Sequence, residues 1–139
     1  MSTNKTVWGP ALWLLLHGWA ERGVGDETAW IRLLRWLPEV LPCRVCQEHA
    51  RLMRRPASAA EVRLYLYNFH QSVNERLRVG GRAFPIADLG SYRFRDLSAA
   101  YELVLASINA GISEGIVRSD AAHAFKAHAE VLRLNLGLN

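Results

Sequence analysis

Cysteine is scarce in this chain of 139 residues, with two in all, and long apolar runs are absent. Two cysteines are too few for a disulfide-stapled secreted scaffold. The apolar stretch 11–16 is too short to span a bilayer and unlike a cleavable leader, and the segment 1–6 before it is polar. An intracellular chain with no signal peptide and no membrane partner is therefore expected. No internal repeat, low-complexity segment or strand-like alternation is present, which excludes solenoids and sheet folds. The net charge of +4 is mild, no basic nucleic-acid reading motif occurs, and the aromatics fall on apolar stripes. No nucleic-acid partner is expected.

What is present reads as helix. Half of the residues are hydrophobic, enough for the core of one domain. A first helix is predicted from Pro10 to about Arg22, since proline suits the first helical position. It is apolar almost all round, through Leu12, Trp13, Leu14, Leu15, Leu16 and Trp19. Such a helix is buried on every side, so a partner subunit and hence a homodimer are expected. A second helix, about Thr28 to Leu37, carries a stripe of Trp30, Leu33, Leu34 and Leu37, with Pro38 and Pro42 bracketing the connection after it. The third runs from Gln47 to before Pro56, with the cysteines at its start. Ser58-Ala59-Ala60-Glu61 is a capping box opening a fourth helix, striped by Val62, Leu66, Phe69, Val73 and Leu77 and ended by Gly80-Gly81. A loop with Pro85, Gly90 and several arginines follows, then helices over about Leu97 to Ala110 and from near Asp120 to Gly137. The fold class is all-α: a four-helix bundle over 1–81, then a loop and helical C-terminal extension over 82–139 packed on the same domain.

Three motifs carry chemistry. Cys43 and Cys46 form a C-x-x-C followed by His49, at a helix N-terminus whose free N–H groups favour thiolate. The pair reads as a redox disulfide. A zinc half-site completed by His49 and one further ligand, and two incidental thiols, stay open; no second ligand pair supports zinc, and no metal ligand set is assigned. Trp13 and His17 lie four apart on one helix face, able to stack on and hydrogen-bond a flat heterocycle, or to be core residues. His70 and Asn74 are again four apart, beside an apolar stripe where an amide needs a partner, either another helix or a polar ligand. Arginines 76, 78, 82, 93 and 95 crowd after them, a solvated face or a seat for pyrophosphate.

In this order the motifs resemble the Erv/ALR family of FAD-linked sulfhydryl oxidases. The match is W-G-P-x-x-W-x-x-L-H at Trp8, Gly9, Pro10, Trp13, Leu16 and His17; P-C-x-x-C-x-x-H at Pro42, Cys43, Cys46 and His49; and H-x-x-V-N-x-x-L at His70, Val73, Asn74 and Leu77. The resemblance implies a bundle cradling FAD, its ring against the C-x-x-C, with Trp8, Gly9, Trp13, His17, His49, His70, Val73, Asn74 and Leu77 around it and Arg76 and Arg78 as candidates for its phosphates. It implies a thiol oxidase. Electrons would pass from dithiols of a protein substrate or a thioredoxin-like carrier, through Cys43 and Cys46, to FAD and then to O₂, giving H₂O₂. Cys43, nearer the open loop, is expected to meet the substrate, and Cys46 the flavin.

The chain departs from the pattern at Gln71, where the family has Asn, and at Leu77-Arg78-Val79-Gly80-Gly81-Arg82, where it commonly has L-G-K. It has no shuttle pair, no further structural disulfide, and helices after Leu97 foreign to the minimal fold. Compact members without a shuttle pair look most like those of large DNA viruses, which implies a viral protein of the host cytoplasm or virion. A zinc-stabilised or catalytically silent helical scaffold is the alternative.

Overall fold

The computed structural model describes residues 3–22, 27–77 and 96–136, without the side chain of Leu77. Among these residues it is all-helical: α1 Lys5–Glu21, α2 Glu27–Val40, α3 Arg44–Leu52, α4 Ala59–Leu77, α5 Ser98–Ser113 and α6 Ser119–Asn135. The proposed boundary after residue 81, the glycine pair, Pro85, Gly90, the later arginines and Gly137 lie outside the described residues.

α1 begins five residues before Pro10. Asn4 caps it, its side chain accepting from the Thr6 N–H at 3.0 Å, and the Trp8 indole donates to the Thr3 carbonyl at 2.9 Å. Pro10 therefore sits inside the helix rather than at its first position. The residue before a proline avoids helical dihedrals mainly through its Cβ, and Gly9 has none. The early start puts one more turn of α1, with Lys5, Thr6 and Trp8, beside a cavity walled by α1, α4 and α5.

α2 also runs past its expected end and takes Pro38 into its last turn, with Trp30, Leu33, Leu34 and Leu37 fully buried. α3 starts three residues earlier than expected, because Cys43 is its N-cap: extended at φ −163°, its Sγ accepts from the Cys46 N–H at 3.3 Å. It ends at Leu52, since Arg55 precedes Pro56 and is biased away from helical dihedrals. At the start of α4 the capping box is rewired. The Glu61 carboxylate accepts from Ala57 N–H at 2.6 Å, and Glu27, which opens α2, accepts from Ala59 N–H at 3.0 Å.

Five helices close a ring around one core: α4 touches α1 and α2, α1 touches α5, α2 touches α6, and α5 touches α6, while α3 lies on α2. The core draws on all of them, from Leu15, Leu16 and Trp19 through Trp30 and Leu66 to Phe125, Ala129 and Leu132. α4 and α5 cover much of the apolar girth of α1 inside the chain, while Ala11, Trp13 and Leu14 stay half-buried and Val7 exposed. Gly18 lets α5 approach so closely that a Cβ there would meet both Leu97 methyl carbons at 2.7 Å. The α5–α6 turn uses Gly115 at φ +74°, where a side chain would be strained, and the Ile116 and Val117 N–H groups return to the Gly111 carbonyl.

That turn also braces the cysteine helix. The buried Gln47 amide donates to the Leu41 and Ile116 carbonyls, each at 2.9 Å. Arg44 donates to the Gly115 carbonyl at 3.1 Å. Gly111 is packed so tightly that a Cβ would lie 2.7 Å from Val117 and 3.1 Å from Pro42. No helix among the described residues is long and apolar enough to cross a membrane.

Candidate functional site

α1, α4 and the start of α5 wall a cavity of about 900 Å³, with Leu41 and Cys46 at its α3 end. All three sequence motifs reach it: Trp8, Gly9 and Trp13 from α1, Cys46 from α3, and His70, Val73, Asn74 and Arg76 from α4. The helical period explains why. Positions 70, 73 and 74 share one face of α4, and 9 and 13 one face of α1.

The two sulfurs divide between inside and outside. Cys46 is buried and lines the cavity, while Cys43 is half-buried at the α3 N-cap and does not line it. Both are free thiols in the structure. The expected activation of the pair by the helix N-terminus is overridden at Cys46. Burial, reinforced by a hydrogen bond and charge from Cys43, pushes its thiol up to about 11, against downward pulls from Arg76 and Lys5.

Trp13 anchors an aromatic cluster. His70 stacks on it at 4.3 Å between centroids and 10° between planes, His17 at 5.8 Å, and Phe69 meets it edge-on at 5.1 Å. His17 is buried off the cavity, its Nε2 3.1 Å from His70 Nδ1. Burial, with the neighbouring His70 adding to it, lowers His17 to about 4, and burial lowers His70 to about 4. Both rings are neutral at pH 7, so one nitrogen of the contact donates and the other accepts.

His49 does not line the cavity either. Its Nε2 lies 2.8 Å from Ser72 Oγ and its Nδ1 accepts from Arg76 Nε at 2.6 Å. Both ring nitrogens are thus engaged away from the cysteines. Among the described residues no group of three or more His, Cys, Asp or Glu could hold a metal ion. Gln71 points away from the cavity, and its buried Nε2 finds no partner among the described residues. The Leu77 side chain and Arg78 lie outside the described residues.

Sequence reasoning missed Lys5, Thr6, Leu41 and Phe69, Asp96 just before α5, and the α5 wall of Ala99, Ala100 and Leu103. Phe69 is legible from its place beside His70 on the α4 stripe. No local signal marks the α5 residues, which reach the cavity only through tertiary packing. The resulting surface is mostly apolar and aromatic, with Lys5 and Arg76 as its cations and Cys46 as a thiol at one end. Its size lies in the upper part of the range for small-molecule sites, ~300–1,000 Å³. Such a surface suits a flat, anionic, polycyclic ligand held against a sulfur.

The Erv1 / Alr family model matches residues 10–88, which include Trp13, His17, both cysteines and the 70–74 motif. A protein of Invertebrate iridescent virus 3, provisionally named FAD-linked sulfhydryl oxidase 096R, is 33% identical over 89 residues. The similarity covers 55% of this chain and 60% of the viral protein, so the chain spans well under the whole of that relative. No solved structure matches the chain. The matched segment exceeds half of the sequence and carries the cavity's α1, α3 and α4 walls: the chain belongs to the Erv1 / Alr family.

Proposed function

We propose that this protein is a FAD-linked thiol oxidase that forms disulfides in protein substrates. The observation that carries the reading is the placement of Cys46 on the wall of the one cavity that all three motifs share, with Cys43 on its outer side. The residues fit the cofactor. Trp8, Trp13, Phe69 and Val73 offer apolar and aromatic faces for a planar ring. Lys5 supplies positive charge for phosphates. The half-buried Asn74 amide is claimed by none of the described residues and is free for a polar ring edge. FAD, when bound, supplies the two-electron acceptor that the dithiol lacks and relays electrons to O₂, giving H₂O₂.

The chain's own part is thiol–disulfide exchange. In the oxidised enzyme, with Cys43 and Cys46 joined as a disulfide, a substrate thiolate attacks Cys43, the more accessible sulfur; the Cys43–Cys46 bond breaks and Cys46 leaves as a thiolate into the cavity. A second substrate thiol then displaces the first from Cys43. Trp13, backed by His17 and His70, sets one wall, and α5 closes another against water. Substrates are protein dithiols or a thioredoxin-like carrier, and the likeness to an iridovirus protein supports a viral setting.

The test is the visible absorbance of the purified protein before and after adding dithiothreitol without air. A yellow protein that bleaches with thiol and recovers with oxygen is expected. Cys46→Ser abolishes turnover and perturbs the flavin spectrum, while Cys43→Ser abolishes turnover and keeps FAD bound. A colourless protein, or colour indifferent to thiol, would overturn the reading.

A further inference from the structure

Four side chains from α3 and α4, ending at Cys46, form a continuous chain of contacts. Ser72 Oγ lies 2.8 Å from His49 Nε2, Arg76 Nε donates to His49 Nδ1 at 2.6 Å, and Arg76 Nη2 reaches Cys46 Sγ at 3.8 Å. The protonation follows from the chemistry of the groups. A guanidinium keeps its protons at any ordinary pH, so Nδ1 can only accept from it. Neutral His49 then carries its proton on Nε2 and offers it to Ser72. Burial first, and the Arg76 charge second, lower His49 and keep it neutral. A neutral imidazole that accepts from Nε fixes the plane of the guanidinium, and this plane directs Nη2 at the sulfur.

Cys46 needs such a partner. It is 7% exposed, and a bare thiolate in that environment is costly. The titratable and charged groups sharing its cavity are Lys5 of α1, His70 and Arg76 of α4 and Asp96 before α5, with Cys43 adjoining at the α3 cap. Among the described residues, Arg76 and Cys43 are the groups of this set within hydrogen-bonding range of the Cys46 sulfur.

We propose that Arg76 is a catalytic counter-charge for the Cys46 thiolate, and that His49, itself engaged by Ser72, is the positioning residue that holds Arg76 there. The proposal rests on the thiol oxidase reading and assigns the residues to one step of it. The substrate thiolate forms a bond to Cys43 Sγ, and the Cys43–Cys46 bond breaks. The electron pair of the broken bond remains on Cys46 Sγ as a thiolate facing Arg76. The substrate sulfur is oxidised to the mixed disulfide, Cys46 is reduced, and no proton moves. A stabilised leaving thiolate departs faster. A charge-assisted contact to guanidinium is a strong way to stabilise it. Arg76 thereby serves the sulfur rather than the cofactor phosphates, and His49 acts on Cys46 through Arg76 rather than on the ring.

The test titrates Cys46 as the lone thiol of Cys43→Ser, by ultraviolet thiolate absorbance and by the pH dependence of iodoacetamide alkylation. Neither readout needs turnover. Arg76→Gln should lower alkylation about tenfold at a pH below the titration, as its midpoint rises by about one pH unit. Arg76→Lys should lose less, because the charge stays. His49→Leu should shift Cys46 in the same direction by a smaller amount, and His49→Gln, whose amide oxygen can still accept from Nε, should restore much of it. If Arg76→Gln does not fold, Arg76→Lys and the His49 pair carry the test. An unchanged Cys46 titration in folded Arg76→Gln would overturn the proposal. A shift there with none in His49→Leu would overturn the positioning role. A colourless protein that shows the shifts would sink the oxidase reading alone, and a yellow, thiol-bleached protein without them would sink this proposal alone.

Discussion

Gln47 is the most exacting place to perturb the link between the cysteine helix and the C-terminal helices. Its amide is buried and donates at 2.9 Å both to Leu41, just before the C-x-x-C, and to Ile116, in the α5–α6 turn. Gln47→Met keeps the length and volume but removes both donors. The Leu41 carbonyl then keeps only the Cys43 N–H at 2.8 Å, and the partly buried Ile116 carbonyl loses the Gln47 donor. An unsatisfied buried acceptor costs ~1–3 kcal/mol, and one such loss is expected here. For a chain of this size 1 kcal/mol moves the midpoint by about 3–5 °C, which gives a Tm lower by roughly 3–15 °C. Arg44→Ala is the internal control. It removes an exposed hydrogen bond onto Gly115 of the same turn, and its effect should stay within ~0.5 kcal/mol. Thermal unfolding followed by far-ultraviolet circular dichroism reads both. Equal shifts for the two variants would refute the reasoning, because the two Gln47 bonds, one buried and one partly buried, are held to outweigh the single exposed Arg44 bond. A Gln47→Met protein as stable as the parent would show that the turn does not brace the cysteine loop.

Phe125 of α6 is fully buried in the shared core, so Phe125→Ala should cost ~3–5 kcal/mol in chemical denaturation; a loss below about 1 kcal/mol would show that α6 is peripheral. Gly18→Val would drive Cβ into Leu97, forcing α1 and α5 apart for ~1–3 kcal/mol, and the strain should appear as a lower Tm together with weaker flavin retention, since both helices wall the cavity. The His17–His70 pair fixes a pH response. Both side chains titrate near 4 in the folded chain but near 6.5 when unfolded, so the unfolded state binds more protons between those values. Stability contributed by the pair is complete above about 6.5 and is lost as pH falls towards 4, at up to ~1.4 kcal/mol per pH unit for each histidine. Tm measured across this range should fall more steeply for the parent than for a His17→Asn, His70→Asn double variant, and parallel curves would refute the assignment.

The chemistry-bearing residues were more legible than the helix ends, and the reason is physical. Spacings of three and four on a helix place side chains on one face whatever the helix packs against, so Trp8, Gly9 and Trp13 and the 70, 73, 74 set could be read locally and do line one cavity. Helix ends depend on which cap wins. At α1 Asn4 competed with Pro10 for the start and took it, because Gly9 removes the Cβ that would have kept the residue before proline out of the helix. At α3 the cap is Cys43, and cysteine is not among the residue types that ordinarily mark an N-cap. His17 and His49 could be seen as special but not placed. Their ring partners, His70 and the Ser72–Arg76 pair, come from α4, more than twenty positions along the chain.

The least legible feature was the work of α5 and α6. Read by periodicity alone they are two amphipathic helices with no motif, and an all-apolar α1 then demands a second subunit. In the structure α5 covers part of that apolar surface. It lies along α1, supplies Ala99, Ala100 and Leu103 to the cavity, and turns at Gly115 into α6, which packs along α2. The same turn returns to the cysteine loop through Gln47, so the C-terminal helices touch the candidate site twice, at its wall and behind its sulfurs. Static light scattering separates the two ways of covering α1. A monomer that keeps its helices and its colour would place the whole apolar girth inside one chain. A dimer that persists after polar substitution of the half-exposed Leu64, an apolar side chain on the outer face of α4, would mean that association uses another surface.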